Sequence, residues 1–217
     1  MDDKFERMVN SRFSNFMNFI YKIIVVNLLF LFTSALGLIV FTFSAATLSS
    51  YVCMKGINEQ KDFPVFKTFF SVFKSVYKKS LLFSLYYLVS FAILGLSFYY
   101  YLSSEATLLN NLGLVILGLL LLVNLASYLH ILLISVYTPN IKMISKIKYS
   151  YLMQLYKPFL TIFLLIVNVA LLIFGYIFIT FSFMFTFAFM SYYNITISSK
   201  AYKKVSNDHK PLDVLSH

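Results

Sequence analysis

Acidic side chains are scarce in this chain, eight Asp and Glu against eighteen Lys and Arg, and the long apolar runs hold none of these four residue types except Lys22 at the start of the first. Proton- and sodium-coupled carriers commonly use a carboxylate buried among their spans as the coupling group, so their chemistry is disfavoured. The single Cys53 excludes an intramolecular disulfide and a multi-cysteine metal site, and helix packing is its expected role. No HExxH or GxxxxGK[ST] motif is present, so neither a zinc hydrolase nor ATP use by this chain is expected. No catalytic, cofactor or metal constellation emerges, and a non-enzymatic protein without a cofactor is the expectation. Tryptophan is absent while Phe (25) and Tyr (17) abound, a bias that suits an AT-rich bacterial genome and carries no mechanism.

What is present is apolar. Hydrophobic residues make up 60% and charged residues 12% of the chain, with mean hydropathy +0.80. Soluble domains carry about 45 to 50% and about 25% respectively, so the expected solvent is a bilayer. Four apolar blocks stand out, at 19–54, 80–102, 108–137 and 159–199. The second and third each fit one crossing, whereas the first and fourth are long enough for two, since a span takes about 20 residues.

Charge chooses between these options. Single crossings would put the lysine-rich stretches 55–79 and 138–158 outside, against the inside bias of Lys and Arg. If the first and last blocks are hairpins, every lysine-rich stretch and both termini fall on the cytoplasmic side. The predicted fold is an all-α polytopic bundle in the plasma membrane, N-in and C-in, with six spans at 20–36, 38–54, 80–102, 110–137, 159–175 and 179–198 and a polar tail at 200–217. The hairpin tips are expected near Gly37 and Gly175. The first two spans are near the lower length limit, so a re-entrant or broken segment around 43–47 stays open as an alternative. The mixed-charge N-terminus lacks the layout of a cleaved signal peptide, and the first helix is expected to remain.

Between the first and second blocks, Val65, Phe66, Phe69, Phe70, Phe73, Val76 and Tyr77 recur at helical spacing, with Lys67, Lys74 and Lys78 on the other face. This pattern predicts an amphipathic interfacial helix over 62–79, either lying on anionic headgroups or docking a partner protein through Phe66, Phe69 and Phe73. A weaker echo runs over 141–155, between Pro139 and Pro158. The net charge of +10 belongs to this membrane-flanking bias, and no nucleic-acid partner is expected.

The segments NLLFLFTSALGLIVFTFSAATLSSYV (27–52), DFPVFKTFFSVFKSVYKKS (62–80) and VYTPNIKMISKIKYSYLMQLYKP (136–158) resemble the YesL, or DUF624, family of small bacterial membrane proteins. The resemblance implies a plasma-membrane protein of undefined biochemistry, in a family often encoded beside carbohydrate ABC importers and polysaccharide-degrading enzymes. The family's usual Pro-Ala-Thr step reads Ala45-Ala46-Thr47 here, so no proline-fixed break is expected.

Intramembrane polar residues are the candidate contacts: Asn27, Thr47, Asn124, His130 and Asn168. Helix-to-helix hydrogen bonding is the ordinary fate of a buried amide. His130 could titrate near neutral pH, but no second histidine or carboxylate shares a span with it. Three functional readings follow. The first is an accessory subunit that contacts ABC importer permeases; the second is a carrier or channel lined by Asn27, Asn124, His130 and Asn168. The third, an enzyme acting on lipid or lipid-linked sugar, lacks a nucleophile and an acid/base pair. The asparagine of the sequon at 194–196 lies near the expected cytoplasmic end of the last helix and is discounted.

Overall fold

A computed structural model describes the backbone of residues 2–36, 41–104 and 107–205, and side chains at 12–36, 41–104, 107–180 and 182–202. The described residues are helical with no strand: α1 (Asp2–Leu36), α2 (Phe43–Asn58), α3 (Val65–Ser103), α4 (Leu108–Tyr137), α5 (Met143–Tyr156), α6 (Pro158–Ile177), α7 (Ile179–Phe181), a π-helical turn (Ser182–Thr186) and α8 (Phe187–Val205). Among the described residues, four helical stretches are long and apolar enough to cross a membrane: Arg12–Leu36, α3, α4 and α6.

The fold is organised around α2. Residues Ser44 to Gly56 are all buried, and the helix packs against α1, α3, α4 and α8. Ser44, Ala45, Ala46, Ser49 and Ser50 explain this placement, because small side chains let neighbouring backbones approach. Cys53 is buried within this packing, as expected. At sixteen residues α2 is roughly 24 Å long, short of a hydrocarbon layer of about 30 Å. It is unbroken from Phe43 through Ala45, Ala46 and Thr47, in keeping with the missing proline.

The amphipathic segment is not a separate element. Val65 to Ser103 forms one helix of 39 residues, roughly 58 Å long, because neither proline nor glycine interrupts the chain between Pro64 and Gly95. Val65, Phe69, Val72 and Val76 are buried in the protein core rather than in an interface. Phe69 is therefore a core residue and not a docking residue, whereas Phe66 is exposed and Phe73 is half-buried against Tyr77. Lys67, Lys74 and Lys78 are exposed, as expected.

Burial stops abruptly in α3 after Tyr87 and resumes in α4 only at Asn124. Between those points the two helices run antiparallel, with Tyr101 against Gly113 and Phe98 against Gly118. They form an arm with exposed Leu96, Tyr99, Tyr100, Leu109, Leu112 and Val115.

Prolines set the remaining breaks. Pro139 follows the end of α4, and Pro158 opens α6 at its first position, so α5 is a short helix between two turns. α6 then pairs antiparallel with the last helical run, Gly175 facing Thr186 and Asn168 facing Asn194. The connection falls at Phe178, near Gly175 and within the gap between the expected spans 159–175 and 179–198. Gly175 itself serves close approach: a Cβ there would sit 2.7 Å from Thr186 Oγ1. The expected tip at Gly37 lies outside the described residues.

One juxtaposition bears on topology. Phe32, Leu36 and Thr42, expected at the far end of the first hairpin, line one groove with Lys74 and Lys78, expected at the near side.

Candidate functional site

The polar side chains of the interior gather into small hydrogen-bonded groups, each tying two or three helices together. Asn27 of α1 is wholly buried, donates from Nδ2 to the Phe183 carbonyl at 2.8 Å and accepts at Oδ1 from the Ala188 N–H at 3.0 Å. Those two backbone groups are five residues apart, the spacing of one π-helical turn. The amide thus enters the backbone ladder at the π turn, a recognised cause of local helix distortion.

A second group lies between α6, α8 and α2. Asn168 Nδ2 donates to Asn194 Oδ1 at 2.8 Å, and Asn194 Nδ2 returns a bond to Asn168 Oδ1 at 3.1 Å. Asn194 Nδ2 also reaches Tyr51 Oη at 2.9 Å, and Asn168 Nδ2 bonds the Leu164 carbonyl at 2.7 Å. The pair is a reciprocal amide clamp across the terminal hairpin.

His130 holds the third group. Thr161 Oγ1 donates to the Lys157 carbonyl at 3.1 Å, so it accepts from His130 Nε2 at 2.8 Å. Nδ1 is then the acceptor for the Tyr202 hydroxyl, whose ring stacks on Tyr137 at 5.6 Å. A neutral imidazole with its proton on Nε2 satisfies every partner.

The other candidates go elsewhere. Asn124 accepts from Tyr151 of α5 at 3.0 Å, and its buried Nδ2 has no partner among the described residues. Thr47 turns back to its own helix, donating to the Phe43 carbonyl at 2.8 Å. The structure therefore places Asn27, Asn124, His130 and Asn168 in separate groups with separate partners.

Reading the sequence alone missed Asn194, Tyr51, Tyr202 and Thr161. It also missed a hydroxyl cluster in which Tyr87, Ser127 and Ser150 bond mutually, with Ser127 to Ser150 at 2.6 Å, joining α3, α4 and α5. Beside it Ser84 donates to Ser44 at 2.6 Å and Ser44 meets Tyr128 at 2.7 Å.

Lysines form the remaining polar feature. Lys146 of α5 is buried to 8% exposure, and its Nζ donates to the Pro139 carbonyl at 3.2 Å and to Ser135 Oγ at 3.5 Å. Burial, with Lys79 nearby, brings its pKa down to about 8. Among the described residues, no group of three or more His, Cys, Asp and Glu side chains is placed to hold a metal ion.

An all-helical bundle with four bilayer-length apolar helices, whose interior polar groups are bonded chiefly to one another, defines a membrane-type helical protein. The family model described as DUF624, protein of unknown function, matches residues 23–98, from the buried half of α1 to well into the α3 side of the arm, consistent with a YesL-like assignment. No curated protein and no solved structure matches the chain.

Proposed function

We propose that this protein is a non-catalytic membrane subunit that assists a carbohydrate ABC importer, contacting its permeases within the bilayer. The observation that carries this reading is the α3–α4 arm. Over 88–103 and 108–123 the two helices have no fully buried residue, and away from the seam they share they expose apolar and tyrosine side chains. Helices apolar over their outward faces belong in lipid or against another membrane protein. The genomic company implied by the family resemblance supplies the kind of partner. Phe66, with Lys67, Lys74 and Lys78, offers a second contact surface on the first half of α3, at the other end of that helix from the arm.

The proposed topology keeps the lysine-rich segments and both termini on the cytoplasmic side of the plasma membrane, with six membrane segments. Leu36 and Lys78 lining one groove supports a first hairpin that dips into the layer and returns, since full crossing would separate them by about 30 Å. Gentle-detergent purification of a tagged copy from its host tests the assignment. Stoichiometric recovery of importer permeases, lost when Leu96, Tyr99 and Leu112 on the arm are changed to Ser, is the expected result. Recovery of the protein alone, in a detergent that keeps importers intact, refutes it.

The alternative is a carrier or channel for a small neutral solute. The hydrogen bonds that occupy Asn27, His130 and Asn168 weigh against it, because those side chains would have to exchange partners to line a path. Solute uptake by proteoliposomes containing this protein alone would favour the carrier.

A further inference from the structure

Lys79 and Lys146 face one cleft, and the surroundings of that cleft suit an anion. It opens between α3, the α4–α5 turn and α5, and its inner part, about 170 Å³, is lined by Lys79, Lys146, Ser80, Ser135 and Asn140. An adjoining outer part of about 290 Å³ shares both lysines and continues over Leu82, Ile141 and Met143. Lys146 is the buried member, and no carboxylate among the described residues forms an ion pair with it or with Lys79. An ammonium group carries three donors, of which Lys146 spends two on Pro139 and Ser135.

Two like charges beside one partly enclosed space repel each other, and removing one of them from water adds a further cost. An anion seated between them would relieve both. Met143, the first residue of α5, lines the outer part, and the N-cap Lys142 supplies no side-chain cap, so the positive end of the helix dipole lies at the same cleft.

We propose that this cleft is a phosphate-binding site in which Lys146 and Lys79 hold the anion and the Ser135 hydroxyl and the Asn140 amide complete its shell, while the Ser80 hydroxyl, which donates to the Tyr77 carbonyl, only lines the wall. Two sources share that chemistry: a free phosphate, or the headgroup of an anionic phospholipid whose glycerol and acyl chains leave over Leu82 and Ile141. The site is separate from the arm and does not depend on the importer assignment.

The test uses the full chain in nanodiscs. In phosphatidylcholine discs, inorganic phosphate is titrated calorimetrically against chloride at constant ionic strength. In a second arm, discs containing phosphatidylglycerol are opened in a native mass spectrometer and the retained phosphatidylglycerol is counted. A response to phosphate assigns a soluble ligand, and retention of one phosphatidylglycerol without a phosphate response assigns the headgroup. In either arm Lys146→Gln and Lys79→Gln should weaken binding about tenfold each, the loss expected for one charge-assisted contact. Lys146→Arg should retain it, and Lys148→Gln, exposed on α5 away from the cleft, should leave it unchanged. Lys79 is exposed, so its replacement separates lost binding from lost folding. Silence in both arms, or binding indifferent to both Gln variants, overturns the proposal.

Discussion

The amide clamp between Asn168 and Asn194 gives a sharp test of the terminal hairpin. Asn194→Leu removes three interhelical hydrogen bonds, two with Asn168 and one with Tyr51. At about 0.6 kcal/mol for each intramembrane bond this costs about 2 kcal/mol. Asn168 Oδ1 is also stranded, which adds about 1 kcal/mol or more for a buried acceptor without a donor. Asn168→Leu loses the same reciprocal pair and strands Asn194 Oδ1 but keeps the Tyr51 bond, so it should cost about 2 kcal/mol. With both amides replaced, neither strands the other. The double variant should lose only the three bonds, about 2 kcal/mol, rather than the sum of about 5 kcal/mol, a coupling of about 3 kcal/mol. Equilibrium unfolding in mixed micelles, followed by far-UV circular dichroism, measures the full cycle. Additive losses, within about 0.5 kcal/mol, would mean that the two amides do not face each other and that the hairpin register is wrong.

Other perturbations test other parts of the bundle. Asn27→Leu removes both the donor to the Phe183 carbonyl and the acceptor of the Ala188 N–H; it should destabilise the protein by about 2 kcal/mol or more and speed hydrogen exchange at the Ala188 amide. Gly175→Ala pushes a methyl to 2.7 Å from Thr186 Oγ1 and should cost about 1 to 3 kcal/mol, most of it recovered in Gly175→Ala with Thr186→Ala because that hydroxyl is buried and unpartnered. Lys146 binds its proton less tightly when folded, about 8 against the ordinary 10.5, so the unfolded chain holds more protons between those values. Stability should therefore rise from pH 8 to 10.5, by about 2 to 3 kcal/mol relative to Lys146→Gln in phosphate-free zwitterionic micelles, and equal slopes would contradict the burial of that lysine.

The helical class and the apolar segments were legible because both rest on composition over many residues. The partnerships were not, and the terminal hairpin shows why. The expected spans 159–175 and 179–198 leave the connection where it falls, at Phe178, but the meeting of Asn168 with Asn194 also depends on the short α7 and the π turn after it, which the apolar pattern does not announce. A glycine reads as a turn and as a close contact with equal ease, and only the facing Thr186 decides between them. The segment 65–79 failed differently. Its alternation of Phe and Lys is the same whether the apolar face meets lipid or α2, so the period was readable and the occupant of the face was not. Lys146 looked like any loop lysine because its burial depends on Pro139 folding α5 back against α4.

These placements separate the polar groups that hold the fold from those with capacity left over. Asn27, Asn168, Asn194 and His130 sit at helix crossings, and their bonds close on other helices, so a solute passing among them would have to break the contacts that keep the bundle together. Lys146 and Lys79 are the reverse case: the charge is buried or crowded, the nearby acceptors are neutral, and space remains beside them. If the arm and the cleft are binding sites as proposed, the interior amides serve structure and the margins of the fold serve binding. That predicts a division of phenotypes. Substitutions in the amide clamp should lower the amount of folded protein and leave partner and anion binding per folded molecule intact. Substitutions at Lys79 or on the arm should leave folding intact and remove one binding event each. A clamp variant that folds normally yet loses one of those events would show that the interior takes part in function, and would return the carrier reading to the front.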